Sequence, residues 1–123
     1  MSPTQQRQAG YFQRSSKRIA REAQESFEKS EYDRVVRKTQ ESIELYLKGR
    51  LLNKGIEPAK VRDLASLAQG LGEKLQVSTE ELDFLTQERI PAFYGASDFV
   101  PDESYDKADG ERCLLILKSI KLL

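Results

Sequence analysis

Apolar residues recur at the three-and-four spacing of a helix along most of this chain. Ile19, Ala20, Ala23 and Phe27 share one face, with Lys17, Arg18, Arg21, Glu22 and Glu25 elsewhere, which predicts a first helix from about residue 15. Residues 1–14 lack that period and are rich in Gln, Ser and Gly, so they are expected to form a flexible N-terminal tail ahead of one helical domain over residues 15–123. Ser30 followed by Asp33 reads as a capping box opening a second helix. Tyr32, Val36, Ile43, Tyr46, Leu47 and Leu51 form its apolar stripe, and Asn53-Lys54-Gly55 supplies a glycine stop. On its outer face Arg37/Glu41 and Glu44/Lys48 stand four apart, pairs worth ~0.2–0.5 kcal/mol each in an isolated helix, so they support the helix without deciding the fold.

Pro58 suits the first turn of a third helix with Val61, Leu64, Ala65, Ala68 and Leu71 inward, weakened by Gly70 and Gly72. Ser78-Thr79-Glu80-Glu81 is a capping box before a fourth helix in which Leu82, Leu85 and Ile90 turn inward and which Pro91 ends or kinks. Residues 91–104 read as a loop that holds Phe93, Tyr94 and Phe99, and a last helix from about Asp106 presents Cys113, Leu114, Leu117 and Ile120. No stretch alternates with period two, so no strand is predicted. The pattern specifies an all-α bundle of five helices.

At 123 residues the chain has room for one core, and 38% apolar with 33% charged residues is ordinary globular composition, too broken by charge for a membrane span. The polar start, residues 2–8, carries no apolar signal region, and Cys113 is the lone cysteine, so the expected location is the cytoplasm. The absence of histidine excludes histidine-dependent triads and zincins. Gly70-Leu71-Gly72 lacks the strand and third glycine of a dinucleotide fingerprint, no Walker A sequence occurs, and the acids form no calcium loop, so neither metal nor cofactor is predicted. Cys113, on an apolar face, reads as a structural thiol.

The net charge of zero conceals a split. Residues 1–62 carry 14 Lys and Arg against 8 Asp and Glu, and residues 63–123 carry 6 against 12, so the halves are +6 and −6. Residues 1–21 hold five bases and no acid, whereas residues 80–111 hold ten acids with only Arg89 and Lys107 as bases. Oppositely charged ends favour self-association or a charged partner, and no unbroken nucleic-acid stripe is evident.

Two features carry candidate chemistry. Gln40, Glu44 and Lys48, spaced by four, project from one face of the second helix beside its apolar stripe; facing water they are surface, and facing a groove they offer donors and acceptors to a ligand. Arg89, solitary among acids and followed by Ile-Pro-Ala-Phe-Tyr94-Gly95, is either a helix-terminal cation or a fixed fork for phosphate.

The run Tyr32-Asp33-Arg34-Val35-Val36, Thr39-Gln40-Glu41-Ser42-Ile43-Glu44, Tyr46-Leu47-Lys48-Gly49-Arg50-Leu51-Leu52-Asn53-Lys54-Gly55 and Val61-Arg62-Asp63-Leu64 resembles the second helix and following turn of HEPN domains, the higher eukaryotes and prokaryotes nucleotide-binding family. Glu88-Arg89-Ile90-Pro91-Ala92-Phe93-Tyr94-Gly95, Asp98-Phe99-Val100-Pro101, Tyr105 and the closing amphipathic helix extend the resemblance over roughly residues 15–122. It implies a bundle of four or five helices that pairs as a homodimer, is encoded beside a small nucleotidyltransferase, and often acts as a ribonuclease toxin with that partner as antitoxin. It also implies catalysis by an arginine followed after four to six residues by histidine at the dimer interface. Arg89 matches the arginine, but Tyr94 occupies the histidine position, and a familiar His-Asp-Leu reads Arg62-Asp63-Leu64.

The departure has chemical weight. Metal-independent RNA cleavage needs the 2′-hydroxyl deprotonated and the leaving oxygen protonated, which imidazole does near neutrality with a pKa of about 6.5, whereas tyrosine at about 10 is a poor base at pH 7. Tyrosine remains a proton donor or a stacking surface. The expected function is therefore nucleotide or RNA binding, with Arg89 on phosphate, Tyr94 on base or hydroxyl, and Gln40, Glu44 and Lys48 behind them. A ribonuclease using Arg89 and Tyr94, and a helical interaction module without ligand, are the alternatives.

Overall fold

The computed structural model describes residues 2–58, 60, 63–94 and 104–123, with the side chains of residues 88–94 outside the description. Among the described residues there are five helices and no strand: α1 (Pro3–Glu28), α2 (Tyr32–Asn53), α3 (Leu64–Leu71), α4 (Thr79–Tyr94) and α5 (Lys107–Ser119). The all-α expectation holds. Helix α2 is the hub, touching every other helix, while α3 also packs on α4 and α1 on α5. Its stripe of Val36, Ile43, Leu47 and Leu51 is fully buried among Leu64 and Leu67 of α3, Leu82 and Leu85 of α4, and Cys113, Ile116 and Leu117 of α5. The Cys113 thiol is enclosed, as an apolar-face cysteine should be.

Helix α1 begins twelve residues before the apolar period does. Where a tail is expected, residues 3–14 instead form its first three turns, started by Pro3 at the first helical position and a capping box in which Ser2 and Gln5 satisfy each other's backbone N–H groups. Small residues hold this end down. Ala9 is buried, and a Cβ on Gly49 of α2 would lie 3.3 Å from Phe12 Cβ and 3.4 Å from the Ala9 carbonyl, so the two helices touch almost backbone to backbone. Farther along the seam the Ser42 hydroxyl donates to the Ser16 carbonyl at 2.6 Å, and Lys38 of α2 meets Glu22 of α1 at 3.0 Å.

The turn between α1 and α2 corrects the expected cap at Ser30. Ser30 sits at φ 59, where the Glu31 N–H donates to the Ser26 carbonyl and the Ser30 N–H to Phe27, so it closes α1 in a Schellman motif; Glu31 precedes α2 without a side-chain cap. The left-handed conformation costs a non-glycine residue ~1 kcal/mol or more. Ser30→Gly is therefore expected to stabilise the fold by about 0.5–1 kcal/mol, read as a higher urea midpoint at unchanged slope. A lower midpoint would mean that the Ser30 side chain holds the turn.

Gly55, at φ 75, ends α2 in the same motif, as its position predicts. The third helix starts later than expected: Pro58 precedes it, and Asp63 caps it by accepting from the Ala65 and Ser66 N–H groups. Val61 lies outside the described residues. Ser78 caps α4, as read from sequence, and Asp106, where the last helix is expected to begin, caps α5 through a box with Asp109. The fourth helix continues through Pro91 to Tyr94, so Phe93 and Tyr94 belong to a helix rather than to the expected loop, and Phe99 falls outside the described residues. In α5 a Cβ on Gly110 would come within 2.9 Å of the Phe27 ring, which packs edge-on with Tyr32; the glycine lets α5 lie against that pair.

Candidate functional site

The period of four that selects Gln40, Glu44 and Lys48 produces a continuous hydrogen-bonded line along α2. Gln40 Nε2 donates to Glu44 Oε1 at 3.2 Å, and Lys48 Nζ donates to Glu44 Oε2 at 3.0 Å. Gln40 is 1% exposed, and the Glu44 and Lys48 side chains are 13% and 19% exposed. The line is thus covered by the protein, unlike an ordinary solvated helix face. Chemically, Glu44 is neutralised by Lys48, and an incoming anion would compete with that carboxylate for the ammonium.

Arg89 and Tyr94 lie five positions apart on the helical backbone of α4, about 7.5 Å along its axis, and α4 packs against α2 and α3. Their side chains, like Arg62, lie outside the described residues. The rest of the Arg62-Asp63-Leu64 triplet has structural work: Asp63 caps α3, while fully buried Leu64 donates its N–H to Thr86 Oγ1 of α4 at 3.1 Å. The concave surface between α3 and α4, lined by Ala65, Ala68, Leu75, Val77 and Leu82, contains none of the predicted site residues. No group of acids and cysteine suited to holding a metal ion occurs among the described residues.

One cluster has no counterpart among the sequence motifs. Arg50 and Lys54, in the last turn of α2 and just past it, both bind Glu73 beyond α3, Lys54 at 2.9 Å, and Lys54 also donates to the Leu71 carbonyl at 3.2 Å. Arg50 stands over the Tyr46 ring at 5.7 Å. The only sequence signal was two cations four apart opposite a lone acid 23 residues beyond Arg50, which spacing rules do not connect. Hydrogen bonds from Lys54 and then Arg50 hold the Glu73 carboxyl below its usual range, and the bond to Glu73 raises the Arg50 guanidinium.

The sign of the pH effect follows from the depressed carboxyl. Glu73 stabilises the fold fully above the unfolded carboxylate value of about 4.3, and the contribution disappears as pH falls through its lower folded value. Urea midpoints of wild type and Glu73→Gln are expected to differ at pH 7 and to converge only as pH falls below the unfolded carboxylate value and through the lower folded one. A gap that persists in acid would assign the difference to packing instead of charge.

The described residues form a bundle of five helices with α2 at its centre and a covered polar line on that helix. The HEPN domain family model matches residues 10–122. That is nearly the whole chain, and the protein belongs to the HEPN domain family, a family associated with nucleotide- and RNA-related functions. No curated protein and no solved structure matches the chain. Among the described residues no helix is long and apolar enough to cross a membrane.

Proposed function

We propose that this HEPN protein binds a nucleotide or RNA as a homodimer, and that it partners a small nucleotidyltransferase in a toxin–antitoxin-like pair in the cytoplasm. The observation that carries the reading is the covered line Gln40–Glu44–Lys48, which places an amide, a carboxylate and an ammonium in register on the central helix. Polar groups are costly to cover, and a ligand that uses them gives a reason for their presence. Arg89 supplies a permanent positive charge for phosphate, and Tyr94 a ring or hydroxyl for the nucleoside.

Calorimetry with mononucleotides tests the site. Binding is expected to weaken at least tenfold in Lys48→Met and in Arg89→Ala; binding that is absent, or that both variants preserve, would reject it. Light scattering should give about twice the 14.1 kDa chain mass, and a strict monomer would remove the composite interface. The ribonuclease reading keeps one supporting feature, an arginine at the family position. It requires Tyr94→His to raise cleavage about 10²-fold or more and Arg89→Ala to abolish the gain.

A further inference from the structure

We propose that the outer face of α1 is a binding track for the backbone of single-stranded nucleic acid, separate from the candidate site on α2. Arg7, Tyr11, Arg14, Arg18 and Arg21 are all exposed and follow one another at spacings of four and three. At 100° per residue these five positions fall within about 80° of arc, and at 1.5 Å rise they span about 21 Å of helix. The stripe is invisible while residues 1–14 are read as a tail. Capping at Ser2 and burial of Ala9 turn scattered arginines into a single rigid row.

Nothing among the described residues explains the row. None of its four arginines makes an ion pair with a described residue, although Lys38, Lys48, Arg50 and Lys54 on and just beyond α2 all do. The sign of the charge is also wrong for helix stability. Helix α1 has no acid in its first turn and no base in its last, where Glu25 and Glu28 stand, the reverse of what the macrodipole favours. Arg14 and Arg18 are like charges at i,i+4, a further small penalty. Gly10, a poor helix former, lies under the Arg14 guanidinium, whose Nη1 would be 3.1 Å from a Cβ there. Local rules broken together without an internal gain mark a surface kept for something outside the molecule.

The chemistry of the row selects the partner. Arginine forks bind phosphate oxygens, and their number and linear order suit a polymer of phosphates better than a single ion. Tyr11, 53% exposed in the middle of the row, offers a ring on which an unpaired base can stack, which a duplex would not need. Glu25 and Glu28 continue the stripe with negative charge and set the end of the track. An acidic protein face would satisfy the arginines but gives no role to the exposed ring between them. The proposal takes from the previous section only the identity of the anion.

The test is fluorescence anisotropy of a labelled oligouridylate of about a dozen nucleotides, titrated with full-length protein over roughly 50–200 mM salt. Four phosphate contacts predict a slope of log K against log salt near −2.8, and Arg14→Gln with Arg18→Gln should reduce its magnitude by about 1.4. Arg14→Lys with Arg18→Lys should restore most of the slope, and Tyr11→Ala should weaken oligouridylate about tenfold while leaving inorganic polyphosphate unaffected. Unchanged melting temperatures confirm that the exposed substitutions leave the bundle intact, and Arg34→Gln in the first turn of α2 is the charge control. No binding at low salt, a slope indifferent to the arginines, equal binding of anionic vesicles, or loss of dimer mass in the glutamine variant would each overturn the track. Mononucleotide calorimetry separates the two proposals: the arginine variants should retain that binding, and Lys48→Met should lose it while keeping the salt slope.

Discussion

Leu47→Ala is expected to cost about 2–5 kcal/mol, the largest stability loss of any single substitution considered for this chain. Leu47 is fully buried on α2, the one helix that every other helix touches. Truncation removes apolar surface from the core shared with α3, α4 and α5 and leaves a cavity that helices already packed around α2 cannot fully collapse to fill. At about 3–5 °C per kcal/mol for a domain of this size, the melting temperature should fall by roughly 6–25 °C. Leu47→Met, which conserves volume, should cost less than about 1.5 kcal/mol. Urea denaturation of both variants checks the pair. An alanine variant within about 1 kcal/mol of wild type would mean that α2 is not the centre of the bundle.

That hub was readable in advance because large side chains carry the helical period. Val36, Ile43, Leu47 and Leu51 announce a buried stripe, and Gly55, Ser78 and Asp106 announce ends through backbone requirements that few residues meet. The opening turns of α1 were unreadable for the opposite reason. Its contacts with α2 use Ala9, Ser16 and the space above Gly49, and residues this small pack by allowing close approach while contributing almost nothing to a hydrophobic pattern. Ser30 misled because a serine before an apolar run usually caps the helix that follows, and here the chain spends it on the end of the helix before. Asp63 prevailed over Pro58 because its carboxylate satisfies two exposed N–H groups, which a proline cannot do.

The candidate site was legible as spacing and illegible as environment. Four-residue intervals put Gln40, Glu44 and Lys48 on one face from sequence alone, but whether that face met water depended on where helices distant in sequence would lie. The charge asymmetry behaved the same way. An excess of bases in residues 1–21 was countable, yet it became a surface with a direction only once α1 was known to start at Pro3. Both features concern α-helical faces, and a face exists only when the helix that carries it does.

The covered line on α2 leads to the second large expected effect. Glu44→Ala leaves the Lys48 ammonium, 19% exposed, without its carboxylate and the buried Gln40 amide without its acceptor, and should cost about 1–3 kcal/mol. Lys48→Met alone should destabilise less, since the carboxylate keeps its bond from Gln40. The double variant Glu44→Leu, Lys48→Met removes both charges and restores apolar volume, so it should recover much of the loss; paired charges replaced together by apolar groups are often neutral or better. The coupling between the two positions, expected at about 0.5–3 kcal/mol, comes from urea denaturation of Glu44→Leu, Lys48→Met and the double variant that combines them. Additive effects would show that the pair contributes nothing as a pair. A double variant as stable as wild type that no longer binds mononucleotide would separate the two roles of the line: the fold can dispense with these charges, and the ligand cannot.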